Sequence, residues 1–84
     1  MNRSVAEMRN LGPATARMLT EVDIADEETL RAVGAQAAYR RLKFRFGRQV
    51  TLVALYALEA ALRDCDWRSL DAKTKEELAK AARR

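Results

Sequence analysis

Between Thr29 and Leu58 the chain carries six cations and no carboxylate: Arg31, Arg40, Arg41, Lys43, Arg45 and Arg48. Guanidinium and ammonium groups gathered without counter-charges are the side chains that take a phosphate or an acidic protein surface. A helix whose cations were only its solvated side would interleave signs at i, i+4 spacing, and this stretch does not. The rest of the chain holds ten basic and twelve acidic residues, so the formal net charge of +4 averages a basic middle with a slightly acidic remainder. Two glycine corners adjoin this middle. Residues 10–16 read NLGPATA, and 22 residues later 32–38 read AVGAQAA. A glycine just ahead of a helix turns backbone N–H groups outward at the positive end of the helix dipole, which is a seat for phosphate. The candidate nucleic-acid contacts are therefore Asn10, Gly12, Ala14, Thr15 and Arg17 at the first corner, and Gly34, Arg40, Arg41 and Lys43 at the second.

Other chemistries are closed by composition. There is no His and one cysteine, Cys65, so a zinc site of ordinary Cys/His type and the Ser-His-Asp and Cys-His arrangements cannot form within the chain. We assign no catalytic residue, no metal and no cofactor. Glu59 is the one carboxylate in the apolar stretch Val50 to Leu62 and is expected at its solvent edge or paired with an arginine. A lone cysteine cannot make an intrachain disulfide, which points to a reducing, cytoplasmic setting. The longest apolar run is too short to span a membrane, and no apolar h-region opens the chain, so no membrane partner is expected.

The elements that must hold these residues follow from periodicity and capping. Ser4 is placed to cap a short helix from Val5 to about Arg9 in a capping box with Glu7, and Gly12-Pro13 starts a second helix that runs to about Val22. Asp26 caps a third, Glu27 to Val33, and Gly34 separates it from a fourth, Ala35 to Phe46, with Ala38, Leu42 and Phe46 on its inner line. Gly47 ends that helix. The next, from Val50 or Thr51 to about Arg63, is apolar nearly all round and should be central. Trp67 and Leu70 follow as a lid, and Asp71 caps a final, mostly polar helix to about Ala82 whose end is expected to fray. Phe44 lies off the inner line, so it should be partly exposed, and with Arg45 and Arg48 it is a candidate partner contact. Tyr39, Phe44, Phe46 and Tyr56 are the rings on which a base could stack, with Phe46 and Tyr56 assigned to the core. No single helix offers an Asn/Arg/Gln stripe for base readout, so contact with DNA would be non-specific. The architecture is an all-α domain of five to six helices, residues 1–84 forming one unit around a central apolar helix.

Each glycine corner is similar to the hairpin of a helix-hairpin-helix motif, which commonly reads Gly, aliphatic, Gly, often Pro, any residue, Thr or Ala, Ala. The chain as a whole resembles the C-terminal domain of the TfoX/Sxy family of bacterial competence regulators. The resemblance rests on MRNLGPATARML, EETLRAVGAQAAYRRLK, LVALYALEAAL and the following W-x-x-L. Gly12, Pro13, Gly34, Tyr39, Leu42, Leu55, Tyr56, Leu58 and Trp67 carry the match. It implies an all-helical fold with helix-hairpin-helix-like (SAM-like) corners and no enzyme. It also implies a role in switching on DNA-uptake genes together with a cyclic-AMP-responsive transcription factor. Longer members carry a further domain ahead of this one, so a stand-alone form and an excised one are the alternatives. Phe44, Arg45 and Phe46 depart from the smaller residues typical there. Two partner classes are expected: duplex DNA, held weakly, or a transcription factor or RNA polymerase. The surplus of aliphatic residues and Phe44 would also allow a homodimer.

Overall fold

The computed structural model describes residues 2–83. Among them five α-helices form: α1 (Pro13–Glu21), α2 (Glu27–Val33), α3 (Ala35–Phe46), α4 (Leu52–Arg63) and α5 (Ala72–Ala82). Three single 3₁₀ turns, Val5–Glu7, Gly47–Gln49 and Trp67–Ser69, link them, and no strand occurs among the described residues. Local chemistry accounts for most boundaries. Pro13 occupies the first turn of α1, where its missing N–H is not needed. The carboxylates of Asp26 and Asp71 accept from Thr29 N and Thr74 N at 2.8 and 2.7 Å, which caps α2 and α5.

Two expected helices begin differently. Val5 to Arg9 is too short to nucleate an α-helix and closes only one 3₁₀ turn, with Ser4 Oγ accepting from Ala6 N at 3.2 Å. Tertiary pairing holds it instead: Val5 N donates to Ala25 O and Glu27 N donates to Arg3 O, at 3.0 and 2.8 Å. The apolar α4 starts at Leu52 because Gly47–Gln49 turn once more after α3, leaving Val50 fully buried in the connection.

The helix stops hold a feature the sequence concealed. Asp23 and Asp64 both adopt left-handed backbone, at φ 65 and 56. After α1, Asp23 N and Ile24 N donate to Thr20 O and Leu19 O; after α4, Asp64 N and Cys65 N donate to Ala61 O and Ala60 O. Both are Schellman closures with aspartate at the position glycine usually takes.

One core joins all five helices. Leu19, Ile24, Leu30, Leu42, Leu55, Leu58, Val5 and Val50 are its largest wholly buried side chains. The α4 helix contributes Leu55, Ala57, Leu58, Ala60 and Ala61, and packs chiefly on α3. Its centrality is not complete, since Val53 is 47% exposed. Leu70 is buried and Trp67 half-buried over the same core. Lys75 lies 5.2 Å from the Trp67 ring and 5.8 Å from that of Tyr56, which ties α5 to the lid. Leu78 and Ala79 are buried and Ala82 packs against the same core, and α5 runs helical to Ala82.

Candidate nucleic-acid interface

The inner line of α3 is as expected: Ala35, Ala38, Tyr39 and Leu42 are buried and Phe46 packs against the core. That line forces Arg40, Arg41, Lys43, Phe44 and Arg45 outward, and all five are exposed. Three of the four cations rest on carbonyls and not on carboxylates. Arg40 Nη2 donates to Ala81 O at 3.4 Å, Arg41 Nη1 to Val22 O at 3.3 Å and Lys43 Nζ to Val50 O at 2.7 Å. Two of these acceptors end helices, α5 and α1, where cations meet the negative pole of the dipole. A carbonyl bond offsets at most part of a positive charge, so the three heads stay cationic. Arg45 reaches Glu21 only at 3.8 Å and lies 5.0 Å over the Phe46 ring. Arg48, in the turn beyond α3, forms no ion pair with a described residue.

The other cations contrast with these. Arg3 Nε and Arg31 Nη2 converge on the two oxygens of Glu27 at 3.0 and 2.9 Å, and those hydrogen bonds, Arg3 first, hold the Glu27 carboxyl below its usual range. Arg31, counted with the basic middle in the sequence, therefore belongs to this cluster. Arg63 pairs with Glu59 at 2.7 Å, so the carboxylate in the apolar helix is spent one turn away on its own helix. Arg68 pairs with Asp66 at 3.2 Å and its hydrogen bond lowers the Asp66 carboxyl. Asn2, Glu27, Glu28 and Arg31 line a shallow depression of about 400 Å³, within which Glu27 and Arg31 pair with each other.

The corner residues are placed less uniformly than their sequence suggests. Gly12 is extended, at φ −80, and the positive φ falls on Asn10, at 74. The Asn10 amide is used within the fold: Nδ2 donates to Cys65 O at 2.6 Å and Oδ1 accepts from Trp67 N at 3.1 Å. At the second corner Gly34 alone joins α2 to α3, at φ 88, and its N–H donates to Leu30 O at 2.7 Å. Both α1 and α3 begin without a side-chain cap, which leaves the N–H groups of Ala14 and Thr15, and of the first turn of α3, outside the helix ladder. Ala14 and Arg17 are exposed and Thr15 is half-buried.

These residues do not form one continuous patch. Arg41 and Arg45 meet the C-terminal end of α1, about 13 Å along that nine-residue helix from Gly12. The grouped set is the outer face of α3 with Arg48. Of the candidate stacking rings, Tyr39 is buried, Phe46 and Tyr56 are partly buried against the core, and Phe44 is 96% exposed. The carbonyl ligands of Arg40, Arg41 and Lys43 could not be read from sequence, because each depends on which helix end lands beside α3.

A family model described as the TfoX C-terminal domain matches residues 1–82. The chain is similar to a Listeria monocytogenes protein described as uncharacterized and solved in a triclinic crystal form. The TM-score is 0.88 at 30% identity, covering 95% of this chain and 90% of that one. It is also similar to a Listeria monocytogenes protein of unknown function in a tetragonal form, with TM-score 0.86 and 30% identity over 94% of this chain and 95% of that one. Among curated proteins none matches. No helix among the described residues is long and apolar enough to cross a membrane.

Proposed function

From its membership of the TfoX C-terminal domain family, a non-catalytic accessory domain of competence regulators, to which this chain belongs, we propose that it holds nucleic-acid phosphates weakly and without sequence preference. The observation that carries this reading is the division among the cations. Arg3, Arg31, Arg63 and Arg68 have close carboxylate partners, whereas Arg40, Arg41 and Lys43 rest on carbonyls and keep their charge. A phosphate can displace a solvent-exposed carbonyl bond to an arginine and gain a stronger, charge-assisted one in its place. Arg45 and Arg48 extend the same face, and the uncapped starts of α1 and α3 offer further N–H donors. In a regulator of DNA uptake such a face adds affinity, while sequence choice comes from another component.

Titration with labelled duplex DNA tests this. At physiological salt the expected Kd is on the order of 10⁻⁴ to 10⁻⁶ M, weakening steeply as salt rises. The triple variant Arg40→Ala/Arg41→Ala/Lys43→Ala should flatten the salt slope by up to about 3, one for each lost phosphate contact. The control Arg63→Ala/Arg68→Ala should stay within about twofold of the parent. No binding at low salt, or equal losses in both variants, would overturn the reading and leave the face to an acidic surface of a transcription factor or RNA polymerase.

A further inference from the structure

We propose that Phe44 stacks on an unpaired base, so that the α3 face takes single-stranded nucleic acid in preference to duplex; this rests on the phosphate-binding reading above. Phe44 is 96% exposed, whereas Phe46, two residues on, packs against the core beneath the Arg45 guanidinium. Arg40 and Arg41 stand one turn before it, the i−4 and i−3 positions that flank a helical side chain. Each neighbouring cation is drawn aside onto its own fold: Arg40 to Ala81 O, Arg41 to Val22 O, Lys43 to Val50 O and Arg45 toward Glu21. The ring is left clear in the middle of a cationic border.

An occupant of this face must be anionic and must offer a flat apolar surface a short reach from its charge. A single strand repeats that pairing in every nucleotide, and stacking needs one planar face with no pocket around it. A duplex keeps its base faces within the stack. A second copy would set cations against cations. An amphipathic helix or peptide would need a groove to lie in, and Val53 is the only other large hydrophobic exposed among the described residues.

The experiment compares a labelled mixed-sequence strand of about 16 nucleotides with its duplex by fluorescence anisotropy at one salt concentration. The parent should bind the single strand more tightly. Phe44→Ala should lower single-strand affinity about 5- to 100-fold, the range of one lost stacking contact, and duplex affinity by about twofold or less. The exposed ring contributes nothing to the core, so the melting curve of this variant should match the parent's. Phe44→Trp should keep the affinity and show emission quenching on the single strand beyond that of Trp67 alone. Duplex binding retained with no single-strand preference, or a Phe44→Ala loss equal on both, overturns stacking alone. Binding to neither overturns stacking together with the phosphate reading. A parent that sediments as a dimer and a Phe44→Ala variant that sediments as a monomer, with strand affinity unchanged, would give the ring to a second copy and overturn the inference.

Discussion

The two glycine corners share a sequence pattern and differ in backbone. At the first, the chain turns at Asn10, whose amide bridges to the connection between α4 and α5, and Gly12 merely enters α1 with ordinary extended angles. At the second there is no room for a connection. Gly34 ends α2 and begins α3 by itself, at φ 88 and ψ 157, a region open essentially to glycine alone. Spacing in sequence therefore located both corners without saying which residue in each bears the unusual conformation. At the first corner that burden is met by a side chain making long-range hydrogen bonds; at the second it is met by the absence of one.

Unfolding measurements on four substitutions at three positions probe this difference. Asn10→Ala removes both bonds to Cys65 O and Trp67 N together with a residue tolerant of positive φ, and should cost about 2–3 kcal/mol in urea denaturation. Asn10→Gly restores the backbone freedom but not the amide. If it recovers most of the loss, the hydrogen bonds are not what holds the corner. Gly34→Ala should cost about 1–2 kcal/mol; a Cβ there meets no atom within 4 Å, so the penalty is backbone strain and not a clash. Gly12→Ala should cost less than about 1 kcal/mol, the difference between glycine and alanine at a helix start, since its φ is negative and the space beyond it is open. A Gly12→Ala loss as large as that of Gly34→Ala would mean the two corners are built alike after all.

Much of the helical framework was legible because its signals are local. The Asp26 and Asp71 caps, the Gly47 stop and the Ala38, Leu42 and Phe46 line each depend on residues within a turn or two of one another. The failures have equally specific causes. The Val5 turn needed the pairing with Ala25 that holds it in place of a helix. The ends of α1 and α4 fell where expected, near Val22 and Arg63, but the left-handed backbone of Asp23 and Asp64 did not show in the sequence, because the Schellman closures made with Ile24 and Cys65 depend on the folded chain. In the candidate site, the exposure of Arg40, Arg41 and Lys43 followed from the helix register, while Asn10 carried no sign that its amide would be used internally.

By itself, then, the sequence determined the all-helical class, the helix order, the buried faces and the concentration of Arg40, Arg41, Lys43 and Arg45 on α3, because capping, periodicity and charge act over short separations. Tertiary structure alone decided which cations remain open. Arg31 lies in the basic stretch yet pairs with Glu27, and Arg45 leans toward Glu21 of another helix. Register sets Arg40 and Arg41 outward, but the carbonyls they rest on, Ala81 O and Val22 O, depend on which helix ends pack beside α3. Long side chains reach across the surface to whatever packing brings near, and that neighbourhood exists only once the chain has folded.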